Sequence, residues 1–179
     1  MDGVARGGGK ERNGRGSGAV SDWLRRAGSG RQVDGSEVTW SIAEGERGRR
    51  WRWTVVDLGL IRHAALVEID PAGAFTRLEL TTPLGLLTLH PEPDRRSIDG
   101  NVVTADGVRP LALEWSATAA LAIAGDSFGS SILLGGAAAP TLVIRPRLGV
   151  VAGDSSPALE RDDRGIPILV DAQEWALEA

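Results

Sequence analysis

The sequence predicts an all-β protein, an antiparallel sheet of about ten short strands forming an open or half barrel or a sandwich, behind a disordered N-terminal tail. Three observations carry this. From Glu37 onward apolar and polar residues alternate with a period of two, as half-buried strands require. Turn chemistry recurs at spacings of about 8 to 14 residues, the rhythm of short hairpin-linked strands. No long stretch shows the 3.6-residue period of an amphipathic helix.

The elements follow in order. Residues 1–36 hold ten glycines and seven basic against four acidic side chains, whereas residues 37–179 hold thirteen basic against twenty acidic. Glycine-dense, weakly apolar sequence cannot offset its ordering entropy, so residues 1–36 are expected to be a flexible tail, with a short helical turn over residues 21–27 capped by Ser21. Residues 37–179 then form one β domain. Val38, Trp40 and Ile42 share one face; a turn at Gly45 to Gly48 leads to Trp51, Trp53 and Val55, alternating with Arg50, Arg52 and Thr54. This predicts a hairpin. Ile61, His63, Ala65, Val67 and Ile69 make the next inward row, and Asp70-Pro71-Ala72-Gly73 turns the chain into Phe75 to Thr82, with Leu78 and Leu80 facing in. Pro83 separates that strand from Gly85 to His90.

The second half repeats the grammar. Ser97 to Thr104 and Val108 to Trp115 flank Ala105-Asp106-Gly107, and Asp-Gly between two alternating runs is a strong hairpin marker. Leu121 to Ala124, Ser131 to Leu134 and Thr141 to Leu148 are predicted strands. Leu159 to Asp163 and Ile166 to Asp171 form a last hairpin about Arg164-Gly165, followed by Gln173 to Glu178.

Composition excludes several functions. The chain has no cysteine, which removes disulfide scaffolds, thiolate metal sites and cysteine nucleophiles and favours a reducing, cytoplasmic setting. Its longest apolar runs fall short of the roughly 20 residues of a membrane helix, and no apolar stretch follows the basic residues Arg6, Lys10, Arg12 and Arg15 as a secretory signal would require. The basic tail lacks aromatic interleaving, so nucleic acid is not an expected partner. His63 and His90 have no metal-ligand spacing, Gly125-Asp126-Ser127-Phe128-Gly129 departs from Gly-x-Ser-x-Gly, and no phosphate-binding glycine loop occurs. No catalytic residue, metal or cofactor is therefore predicted.

The aromatic residues are the informative anomaly: six tryptophans, two phenylalanines and no tyrosine. Trp40, Trp51 and Trp53 cluster in one hairpin, where they either fill a closed core or line a groove for an apolar or sugar-bearing ligand. Arg62 is placed to hold an anionic head group or to keep the sheet soluble. His63 is either a hydrogen-bonded residue inside the sheet or a ligand contact.

The run Arg96-Ser97-Ile98-Asp99-Gly100-Asn101-Val102-Val103, with Gly107-Val108-Arg109-Pro110-Leu111-Ala112-Leu113-Glu114-Trp115 after the turn, resembles a strand pair of the bacterial glycolipid-binding family. The likeness spans about 20 residues; the family's Pro-Phe-Thr-Asn run is absent. It implies an open, strongly curved antiparallel sheet, like the half-barrels of lipoprotein carriers, around a lipid-like ligand. The expectation is a non-enzymatic protein holding an apolar or glycolipid-like ligand against Trp40, Trp51, Trp53, Arg62, His63 and Trp115. The alternative is an oligomeric interaction module without a small ligand.

Overall fold

The computed structural model describes residues 24–116, 119–134, 142–145 and 147–152, together with the backbone of Leu159–Arg161, Pro167–Val170 and Gln173–Glu174. Residues 1–23, which carry most of the expected tail, lie outside these. The protein is mostly β, as its alternation predicts. Eight strands form one antiparallel meander in sequence order: β1 (Arg25–Arg31), β2 (Glu37–Gly45), β3 (Gly48–Asp57), β4 (Leu60–Ile69), β5 (Phe75–Thr82), β6 (Gly85–Pro91), β7 (Ser97–Thr104) and β8 (Gly107–Glu114). The sheet is open, since β1 and β8 do not pair with each other. Its edges are protected by composition: arginines occupy both ends of β1, and β8 carries Arg109 and Pro110, whose missing N–H is tolerated on an edge strand.

One face of this sheet is buried along its length. Val38, Trp40, Ile42, Trp51, Trp53, Val55, Val67, Leu78, Leu80, Leu87, Leu89 and Ile98 are all at most 3 % exposed, each at the inward phase of the alternation. A second layer covers them. It consists of β9 (Leu121–Ile123), α1 (Ser127–Leu134), β10 (Leu142–Ile144) and β11 (Val150–Ala152). β10 pairs parallel with β9, with α1 in the crossover between them, and antiparallel with β11. Leu121, Ile123, Phe128, Ile132, Ile144 and Leu148 from this layer complete the core. The backbone of β12 (Leu159–Arg161), β13 (Pro167–Val170) and β14 (Gln173–Glu174) forms a separate three-stranded sheet that includes the predicted last hairpin.

The structure corrects the sequence in four places, the first being the predicted strand Thr141 to Leu148: β10 ends at Ile144, and a turn in which the Leu148 N–H donates to the Arg145 carbonyl leads into β11. Residues 25–31, assigned to the tail and in part to a helical turn, are β1. Gly28 serves the neighbouring strand: it pairs with Trp40, and a Cβ there would collide with the Trp40 indole. Ser131 to Leu134, predicted as a strand, belongs to α1, whose residues Phe128 to Leu134 are all buried. A helix enclosed on every side has no polar face, so its short apolar run shows no helical period. Ile61, predicted to face inward, is 60 % exposed because the β3–β4 register shifts between Val55 and Val56: Val55 pairs with His63 and Val56 with Ile61. Arg62 is the extra residue of this β-bulge.

The meander sorts its turns between two ends. The β1–β2, β3–β4, β5–β6 and β7–β8 turns lie at one end, and the β2–β3, β4–β5 and β6–β7 turns at the other. The candidate site opens at the first of these.

Candidate functional site

The bulge in β4 sets the site. A bulged residue is released from strict alternation, and its side chain is re-aimed. Arg62 turns along the end of the sheet, where its guanidinium donates to Asp34 Oδ2 at 2.6 Å and to the carbonyl of Gly125. It thereby ties the β1–β2 turn to the loop that precedes α1. His63, the next residue, resumes the inward phase and is 5 % exposed.

Asp126 supplies the other half. As the N-cap of α1 it accepts the Gly129 N–H at Oδ1 (2.9 Å), satisfying one of the donors that a helix start leaves open. Its Oδ2 accepts the indole N–H of Trp53 at 2.8 Å and lies 2.7 Å from His63 Nε2. One buried carboxylate thus joins β3, β4 and the helix. Gly129 is required by this packing: a Cβ there would meet both the Asp126 carboxylate and the Trp53 ring. Gln32 Oε1, just beyond β1, also receives the Ser127 N–H (2.7 Å) and hydroxyl (2.9 Å), so the β1–β2 turn is fastened to the first residue of α1.

Beside His63 lies a pocket of about 230 Å³. Leu80, Leu84, Ile123 and Ala124 give it apolar walls, Arg62 and Arg145 contribute cations, and Thr82 contributes a hydroxyl. That hydroxyl is engaged in the β5–β6 turn, where it accepts the Leu84 N–H at 3.1 Å. Arg145 is exposed. A larger pocket of about 550 Å³ lies among the turns at the other end, but its ionic groups largely neutralise one another, as in the Arg49–Glu44 and Arg50–Glu68 pairs. Among the described residues no group of three or more His, Cys, Asp or Glu side chains is placed to hold a metal ion, and no helix is long and apolar enough to cross a membrane.

The predicted site residues separate into three groups. Arg62 and His63 line the pocket. Trp53 reaches it indirectly, through Asp126. Trp40 and Trp51 lie under α1 at 3 % and 2 % exposure, with ring centroids 6.1 and 6.3 Å from Phe128, so the second layer occupies the place of the expected groove. Trp115 is half-buried and packs against Phe75 at 6.0 Å, near the opposite end of the sheet. Asp126, Asp34 and Arg145 were not among the candidates. The signal available for Asp126 was its residue type alone, an aspartate suited to capping a helix, six residues ahead of the apolar run Ile132-Leu133-Leu134.

Asp34 shows how firmly Arg62 is held. Partial burial would raise its pKa, but hydrogen bonds from the Ser36 hydroxyl, the Arg62 guanidinium and the Ser36 N–H outweigh this and lower it from 3.8 to about 2. A carboxylate depressed in the folded state contributes stability above the unfolded value and loses it as pH falls through the folded one. The contribution is therefore complete above about pH 4 and lost toward pH 2. Solvent screening keeps it small, because the Asp34 side chain is nearly half exposed. Asp34→Asn is expected to melt slightly below the wild type at pH 5 and to converge with it at pH 2. Thermal melts at both values check this, and a gap that persists at pH 2 contradicts it.

No protein-family model, curated protein or solved structure matches this chain.

Proposed function

We propose that the protein is a non-enzymatic binding protein for a small single-chain amphiphile, with the apolar chain in the pocket beside His63 and a polar, anionic head group at the rim. The observation that carries this is the union of apolar walls with Arg62, Arg145 and His63 in one cavity. A few convergent polar groups on an apolar surface is the ordinary construction of a small-molecule site. Size narrows the ligand. The volume of about 230 Å³ lies below the roughly 300–1,000 Å³ of sites for drug-sized molecules, which favours a short acyl chain over an entire glycolipid. The charges narrow it further: Arg62 is already paired with Asp34, which leaves Arg145 as the rim cation best placed to select an anion. Binding is favoured over hydrolysis because the pocket's hydroxyl, on Thr82, is engaged in its turn.

Calorimetric titration with octanoate and with 1-octanol tests the reading. Octanoate is expected to bind with a Kd on the order of 0.1–1 mM, as suits about ten heavy atoms, and 1-octanol several-fold more weakly. Arg145→Gln should remove the preference for the carboxylate and leave 1-octanol unaffected. Absence of binding by either compound, or an unchanged preference in the variant, overturns the proposal.

A further inference from the structure

We infer that the end of the sheet at which the pocket opens docks on a lipid bilayer surface by inserting aliphatic side chains from successive hairpin tips. The observation is positional. Seven large apolar residues are conspicuously exposed among the described residues: Val33, Leu58, Leu60, Ile61, Leu84, Val103 and Val108. The meander brings all seven to one end. Val33 lies in the β1–β2 turn, Leu58 to Ile61 in and beside the β3–β4 turn, and Leu84 in the β5–β6 turn; Val103 and Val108 are a cross-strand pair beside the β7–β8 turn. None lies at the other end.

Leu58 gives a second, independent reason. It is 96 % exposed and its φ is +48°, in the left-handed region that bulky side chains avoid. Leu148 also has a positive φ, +58°, but is completely buried, so core packing compensates its backbone. Leu58 has no such compensation. The two-residue turn Leu58-Gly59 has positive φ at both positions and favours asparagine or aspartate before the glycine, and a leucine there serves neither the turn nor the core. A disfavoured side chain held out to solvent points to a role outside folding.

The occupant follows from spacing and charge. The seven residues expose the equivalent of four to five whole aliphatic side chains, on the order of 500 Å² of apolar surface. That equals the apolar share, a little over half, of the roughly 800 Å² that one partner buries in a standard protein interface, so area alone admits either occupant. Successive tips lie two strands apart, about 10 Å, so they are separate plugs rather than one contiguous patch. A fluid bilayer receives separate plugs without matching pits. Arg31, Arg62, Arg109, Arg145 and Arg147 are nearly balanced at this end by Asp34, Glu37, Asp57 and Asp106, so insertion is apolar and does not require anionic lipid. Leu84 belongs both to a tip and to the pocket wall, which gives an amphiphile a continuous apolar path from bilayer to pocket. This last point rests on the proposed pocket ligand; the docking itself does not.

Flotation of the full chain with phosphatidylcholine vesicles, alone and with one fifth phosphatidylglycerol, tests the inference. The protein is expected to float with both, with less than threefold difference between them and little loss on raising the salt. Leu58→Asn is expected to act in opposite directions, weakening vesicle binding about tenfold while raising the melting temperature, because it suits the left-handed turn. A Leu58→Asn/Val33→Ser double variant should abolish flotation yet retain octanoate binding. Failure of the wild type to float overturns the docking and leaves the pocket reading to its own titration. Flotation that survives in the double variant, or that requires phosphatidylglycerol, also overturns it. So does concentration-dependent self-association abolished by Leu58→Asn without any vesicle binding, which would make a second copy the occupant.

Discussion

Asp126→Ala is expected to lower the unfolding free energy by about 3–5 kcal/mol, the range in which loss of a buried polar hub falls. The carboxylate serves three groups at once: the Trp53 indole N–H, the Gly129 N–H at the first turn of α1, and His63 Nε2. Asp126 is 1 % exposed and His63 5 %, so water does not readily replace the lost acceptor. Each buried donor left unpaired costs about 1–3 kcal/mol, and loss of an N-cap alone costs about 1 kcal/mol. For a chain of this length the melting temperature should fall by roughly 10 °C, at about 2–4 °C per kcal/mol. Asp126→Asn retains one oxygen but sets an amide N–H against existing donors, and an intermediate loss is expected. Circular-dichroism melts check both variants. If Asp126→Ala melts like the wild type, Asp126 does not hold α1 to the sheet.

The same residue shows what the sequence made legible and what it concealed. Period-two alternation is a local property, so strands β2 to β8 could be read from it directly; Trp40, Trp51 and Trp53 fall on the inward face that their spacing requires. β1 could not be read this way, because Gly28 leaves its place to the Trp40 indole and the other residues of the strand, arginine, alanine, serine and a second glycine, show no apolar alternation. Arg62 and His63 are adjacent and were both singled out, but the bulge that sends them in different directions depends on pairing with Val55 and Val56 on another strand. Asp126 is 63 residues from His63 and 73 from Trp53 in sequence. Nothing local in Gly125-Asp126-Ser127 announces contacts so remote; read locally, the segment is a turn. The open choice between core and groove for the tryptophans was likewise a question about what lies above them. The answer, α1, was itself concealed because a helix buried on all sides carries no amphipathic period.

Phe128→Ala is the second large effect expected, about 3–5 kcal/mol, and it tests whether α1 is an integral layer of the core or a loosely held cover. Phe128 is completely buried, and its ring centroid lies 6.1, 6.3 and 6.1 Å from Trp40, Trp51 and Trp53 respectively. The pair with Trp40 is stacked, and those with Trp51 and Trp53 are edge-on, so the ring fills the hollow among three indoles. Truncation to alanine removes the apolar burial, leaves a cavity and forfeits aromatic contacts of about 0.5–1.5 kcal/mol each. Helix α1 has only eight residues, too few to hold itself together without tertiary packing. Loss of its central anchor should therefore loosen the helix, admit water to the indoles and shift tryptophan emission to the red in native buffer. Phe128→Leu retains most of the volume and should cost less than about 1.5 kcal/mol with little spectral change. The contrast separates filling from mere presence of a helix. A Phe128→Ala protein with the stability and emission of the wild type would mean that the tryptophans do not depend on α1 for their burial. Where α1 does loosen, the pocket beside His63 should lose its supporting layer as well, because Ile123 and Ala124 in its wall lead directly through Gly125 and Asp126 into that helix.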